Sequence, residues 1–242
     1  DYKSPPEIMV PLAVLLPMLE YCDWRGENHP VTDIIERGLT AFYSEKLNTL
    51  VRWLPALEGN LDESEEQKQK GVMDAWYLHH PLTNLTRLAI RGNTMAKELL
   101  GKSIDFPIKV ARHFNYEWPV FYKMDTLEVI KAETQPGKGG EKDVPGAYGK
   151  LMMEVWQLTG EKKYLTEAKK AVKNLKDLGF DIFYQANNTA FSAVALLRLY
   201  KHTKEQWYLD LSYVCIASIF KNMQLWDCNY GEGKNFPTFF SV

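Results

Sequence analysis

Cysteine is scarce in this chain: three occur in 242 residues, Cys22, Cys215 and Cys228. That number and scatter exclude a disulfide-built scaffold and a thiolate zinc site. They read as buried free thiols, with a Cys215–Cys228 bridge as the alternative. Long apolar runs are missing too. The longest, residues 8–19, contains two prolines and is too short to span a bilayer. No charged segment with a cleavage site precedes it, so the chain is expected to be soluble, without signal peptide or membrane partner. An excess of positive charge is also absent: 29 Lys and Arg face 31 Asp and Glu. This removes the basic footprint of a nucleic-acid binder. Nowhere is an alternating strand pattern sustained, which excludes a core built on β-sheet.

What the chain has instead is helical periodicity, repeated. An amphipathic run ends at Arg25-Gly26, a second at Arg91-Gly92, a third at Thr159-Gly160 and a fourth near His202-Thr203. Each is followed by a second helical run, and such self-similarity marks stacked helical hairpins. The first pair is predicted over residues 7–23 and 31 to about 57, with Pro30 placed at a helix start. The second pair covers 76–91, with Leu82, Leu85, Leu88 and Ala89 as its inner stripe, and 94–114, where Pro107 should kink or break the helix. Residues 114–140 interrupt the rhythm as an insertion; 121–130 fit a short helix or a hairpin equally well. The third pair covers 145–158 and 163–178, and the fourth 188–201 and 205–223. Residues 225–236 read as loop, and 237–242 as the start of a fifth inner helix. The expected fold class is all-α, a helical-hairpin (α/α) toroid or partial (α/α)6 barrel. The expectation is one domain over 1–242 of about four hairpins and the start of a fifth, either part of a longer toroid or an open ring.

The segment Gly160-Glu161-Lys-Lys-Tyr164-Leu165-Thr-Glu-Ala168 closes one helix with glycine and seats the next with Tyr and Leu. Thr203-Lys-Glu-Gln-Trp207-Tyr208-Leu209 repeats it more loosely. This turn resembles those of six-hairpin glycosidase-like proteins, a superfamily of glycoside hydrolases and polysaccharide lyases. The resemblance implies a toroid whose inner helices run parallel, with the loops entering their N-termini gathered into a funnel at one end. It implies carbohydrate chemistry there, an oligo- or polysaccharide partner, and neither cofactor nor metal.

Four segments map to that end, and aromatic and acidic residues concentrate in them. The first holds Asp74, Trp76, Tyr77, His79 and His80: a carboxylate for proton transfer, rings to stack on a sugar, and polar tips for hydroxyls. Asp74 reads equally as a helix cap. The two histidines lack the i, i+4 spacing of a helical zinc pair. The second segment holds Glu133, Glu141 and Asp143; Asp143 is an N-cap candidate ahead of Pro145. Glycoside hydrolysis needs two carboxyl groups across the scissile bond, and Asp74 with Asp143 is the first candidate pair. The third segment offers Tyr184, Asn187 and Asn188, the asparagines doubling as N-caps. With His80, Tyr184 and Asn188 fit an alternative lyase or uronate-epimerase chemistry, although no His follows the Asn pair. The fourth holds Trp226, Asp227, Tyr230 and Glu232, with Asp227 or Glu232 as a substitute second carboxylate. Glu117 and Trp118, in the insertion, are placed to fold over the ring. A third reading is a non-catalytic helical scaffold that binds a glycan or a protein.

Overall fold

A computed structural model describes residues 5–228 and 231–242. Helices α1 (Met9–Arg25) and α2 (Pro30–Leu39) form the first pair. Gly26, at φ 69°, ends α1 in the left-handed region that favours glycine. The predicted long second helix stops at Leu39. A 3-10 turn, Thr40–Phe42, leads instead into a hairpin of β1 (Tyr43–Ser44) and β2 (Thr49–Leu50). The reason is local: Ser44 accepts the Leu47 N–H through its hydroxyl, a side-chain bond that competes with helical ones, and a single turn closes from the Asn48 N–H to the Ser44 carbonyl. Asn48 then takes φ 52°, which ends any helical path.

Strand β3 (Val72–Met73) precedes α3 (Ala75–Ile90), which pairs with α4 (Thr94–Ser103) and α5 (Asp105–His113). The break between the last two falls at Ile104, so Pro107 sits in a first turn, where its missing N–H costs no intrahelical bond. In the insertion, β4 (Phe121–Lys123) and β5 (Val129–Lys131) form a hairpin that adds to β3, in the order β3-β4-β5. The remaining pairs are α6 (Val144–Thr159) with α7 (Lys162–Ala171), and α8 (Ala186–Thr203) with α9 (Gln206–Asn222). Lys204, at φ 64°, takes the left-handed position that glycine fills after α1 and α6. No fifth helix begins at 237. β6 (Gln224–Asp227) pairs antiparallel with β7 (Thr238–Ser241), where Thr, Phe and Phe favour a strand.

Helices α1, α3, α6 and α8 pack side by side in chain order, and α2, α4, α7 and α9 each back their own partner. The inner stripe of α3 behaves as its spacing predicts: Leu82, Leu85 and Leu88 are fully buried. Contact between α6 and α8 is close because Gly146 lacks a side chain; a Cβ there would lie 2.0 Å from Ser192 Oγ. Glu167 of α7 is buried rather than solvated. Arg112, Tyr116 and Tyr148 all donate to it, at 2.8, 2.9 and 3.1 Å, and so tie the insertion to the helical layer. All three cysteines are free. Among the described residues, no helix is long and apolar enough to cross a membrane.

Candidate functional site

Three inner helices begin at the same end of the layer, and their first residues meet. Asp74 is the N-cap of α3: its Oδ1 accepts the Tyr77 N–H at 2.7 Å. Its Oδ2 faces Arg52 Nη1 at 3.4 Å. The Arg52 side chain is buried, pairs with Glu7 at 2.9 Å, and lies over the rings of Tyr77 (3.8 Å) and Trp53 (4.9 Å). Tyr77 donates its hydroxyl to Glu7, which completes a network around Asp74. Burial pushes the Asp74 carboxyl up, against the Tyr77 and Trp76 N–H groups and the Arg52 charge, which pull it down.

Asp143 precedes α6 but does not cap it. Its Oδ2 turns to the start of α8 and accepts from the Gln185 N–H (2.8 Å), the Tyr184 N–H (3.3 Å) and the Thr189 hydroxyl (2.8 Å). Its Oδ1 has no partner. The residue is fully buried, and burial lifts its carboxyl to about 6 despite those three donors.

Glu141 joins the two. Its N–H donates to the Trp118 carbonyl at 3.1 Å. The turn is possible because Gly140 lies against that same carbonyl, where a Cβ would stand 2.0 Å away. The Ala75 N–H at the first turn of α3 favours the Glu141 carboxylate, and among the described residues its Oε2 has no partner. Burial first, then the charges of Asp74 and Asp143, push it up to about 9. Tyr122 of β4 is buried within reach of the Asp74 and Glu141 charges, and its hydroxyl is also unpartnered. In the sequence Glu141 is one acid of its segment, and Tyr122 one of several aromatics in polar stretches, with nothing to pair the two. An acid two residues before a helix-start Asp was the one available signal.

An aromatic wall stands beside these carboxyls. Trp76 stacks on His80 at 4.4 Å, one helical turn along α3. Phe191 of α8 lies nearly parallel to Trp76, at 6.3 Å and 7°. Lys150 of α6 sits over Phe191 at 4.8 Å and pairs with Glu154, which also holds Arg198 at 3.0 Å. Burial, with the charges of Lys150 and Arg87, lowers His80 to about 4, so its imidazole is neutral at physiological pH. The sequence did not single out Phe191 or Lys150.

The other predicted site residues are placed differently. His79 is a core residue, enclosed by Trp118 (5.3 Å) and Tyr148 (5.5 Å) and lowered to about 3 by burial. Trp118 does not fold over the ring; it is buried, while its neighbour Glu117 is exposed. Tyr184 is half-buried and feels the Glu141, Asp143 and Asp74 charges. Asn187 is exposed and accepts the Asn188 N–H; Gln185, not either asparagine, holds the N-cap position of α8. Asn188 is buried with Nδ2 unpartnered. Asp227 and Trp226 lie on the exposed β6–β7 hairpin, where their partners are Thr238 and Phe239 rather than the carboxyl cluster. Tyr230 and the Glu232 side chain lie outside the described residues.

Two solved structures share this arrangement of helices. D-mannose isomerase aligns at a TM-score of 0.60 and 12% identity, over 90% of this chain and 59% of that one. UGL, an unsaturated glucuronyl hydrolase, described with dGlcA-Glc-Rha-Glc, aligns at 0.53 and 12% identity, over 83% of this chain and 59% of that one. Both are six-hairpin-like enzymes. The chain has the α/α-toroid fold. It spans 59% of the length of each toroid it matches. No protein-family model and no curated protein matches the sequence. In the toroid, the carboxyl cluster and the aromatic wall occupy the end at which the inner helices start.

Proposed function

We propose that this toroid is a carbohydrate-active enzyme, of the glycoside hydrolase type, acting on an oligo- or polysaccharide at the N-terminal ends of α3, α6 and α8. The observation that carries the reading is the gathering of Asp74 and Asp143 around Glu141, which feels both charges, near the Trp76–His80–Phe191 wall. Aromatic faces suit the apolar face of a sugar ring, and two carboxyl groups from neighbouring helices supply the acid and base that glycosidic cleavage needs. In this reading Asp74, which retains slight exposure, is the carboxyl nearer the sugar, and the fully buried Asp143 is the second of the pair. Both solved neighbours are enzymes whose names carry a sugar, which supports the substrate class.

A second reading is sugar isomerisation, the activity in one neighbour's name. The neutral His80 imidazole, stacked on Trp76, favours it, because a base beside a sugar carbon must be unprotonated to take a proton. Product analysis over a panel of oligosaccharides and free sugars tests both. Hydrolysis yields shorter glycans and isomerisation an aldose–ketose pair. An unsaturated product absorbing in the ultraviolet would mark a lyase instead. Loss of turnover in Asp74→Asn supports the Asp74 assignment, and unchanged turnover in both Asp74→Asn and Asp143→Asn removes the paired-carboxyl mechanism.

A further inference from the structure

Asp74, Glu141 and Asp143 form a buried group of three carboxyls, and ionising all three in so dry a setting is strongly opposed. The hydrogen bonds decide which one stays neutral. Asp74 has the Tyr77 and Trp76 N–H groups and the Arg52 guanidinium. Asp143 has the Gln185 and Tyr184 N–H groups and the Thr189 hydroxyl. Among the described residues Glu141 is favoured as a carboxylate only by the Ala75 N–H, with no ion-pair partner and no donor to its Oε2. A carboxylate is stabilised by donors and cations, so the poorest-served member is the one to hold a proton.

We propose that Glu141 is a positioning residue for Asp74: a neutral carboxyl group that holds the buried proton of the cluster and so leaves the negative charge on Asp74. Glu141 acts through Asp74 rather than on the substrate, because its side chain is buried and its Oε2 is shut away from solvent. The groups that face it are Asp74 ahead of α3, Asp143 ahead of α6, Tyr122 of β4 and Tyr184 ahead of α8, with Arg52 and Glu7 beyond Asp74. Tyr122 and Tyr184 remain un-ionised well into the alkaline range, so Glu141 is the group that titrates as pH rises. When it ionises, a further buried negative charge joins those of Asp74 and Asp143, which opposes both the fold and the charge on Asp74.

The role in catalysis rests on the functional reading above; the location of the proton does not. Two measurements separate them. Glu141→Gln keeps the shape and is permanently neutral. Its Tm should match the wild type near pH 5 and exceed it by about 5–10 °C at pH 9, a size consistent with removing a buried charge from a chain of this length. Infrared spectra of the wild type with 13C-labelled glutamate should show a protonated carboxyl band at pH 7 that fades toward pH 9 and 10, whether or not the variant folds. Parallel melting curves at every pH, or no such band, overturn the proposal. On a glycan that the wild type turns over, Glu141→Gln should keep activity within about threefold at pH 7 and lose the alkaline limb of the pH profile. A limb left in place overturns the positioning role. If the melting and infrared results hold while no sugar is turned over, the functional reading falls and the proton stays where it is placed.

Discussion

Asp143 secures the helix of its neighbour: its Oδ2 accepts the Gln185 N–H at 2.8 Å, across from α6 to the start of α8. The Tyr184 N–H and Thr189 hydroxyl share the same oxygen. Replacing Asp143 with alanine leaves three buried donors unpaired, at about 1–3 kcal/mol each. The expected loss is at least about 3 kcal/mol in urea unfolding. Asp143→Asn, which retains an acceptor, should lose less. Burial holds the folded carboxyl near 6, above its unfolded value, so the native state binds the extra proton. Its contribution is therefore complete at acid pH and lost as pH rises through about 6. Asp143→Asn should flatten the fall in stability between about pH 4 and 6; an unchanged slope would refute the assignment.

Among the described residues, Arg52 is the one cation paired with Asp74, and it is buried with it. Arg52→Met should cost about 3–5 kcal/mol, since it strands a carboxylate inside the protein. Adding Asp74→Asn should recover part of that loss. A double-mutant cycle with no coupling between the two positions would show that the ion pair contributes nothing.

Neither imidazole of His79 nor His80 should titrate between pH 5 and 8. Burial holds both below their unfolded value, near 3 and 4, so their contribution is present above about 6.5 and lost as pH falls through those values. His79→Phe, between Trp118 and Tyr148, should fold and move acid unfolding to lower pH. Imidazole NMR resonances that shift between pH 5 and 8 would contradict this placement.

Gly146→Ala should destabilise by about 1–3 kcal/mol through overpacking. The added methyl meets Ser192, whose hydroxyl donates within bonding distance of the Asp143 carbonyl (2.8 Å). The same substitution should lower turnover, because it moves α8 away from the start of α6. A melting temperature equal to the wild type's would show that the two helices can separate freely.

Trp76→Ala should weaken oligosaccharide binding by tenfold or more in calorimetry, with Tm falling by only a few degrees, since Trp76 is half-buried. Unchanged affinity would exclude the aromatic wall as a sugar platform.

Local features were readable from the residues. The stripe of Leu82, Leu85 and Leu88 follows from helical spacing, and Asp74 as a cap follows from its place before an amphipathic run. Gly26 and Gly160 end their helices as their positions imply. Two helical readings failed where turn chemistry competed. Ser44 and Asn48 redirected one run into a hairpin, and residues 238–241 paired with a strand that no pattern announced. Apolar spacing cannot separate these cases, because a short run fits either period.

The sequence by itself determined the helical pairs, their turns, and the end of the layer where acidic and aromatic residues gather. All of these depend on neighbours within a few residues. Tertiary structure decided the chemistry of that end. Arg52 meets Asp74 across 22 residues, Asp143 binds the start of another helix, and Glu141 is buried after a turn in which Gly140 lies against the Trp118 carbonyl. A carboxyl's charge state depends on every donor, cation and solvent molecule it loses or gains on burial. Only the folded chain brings those together.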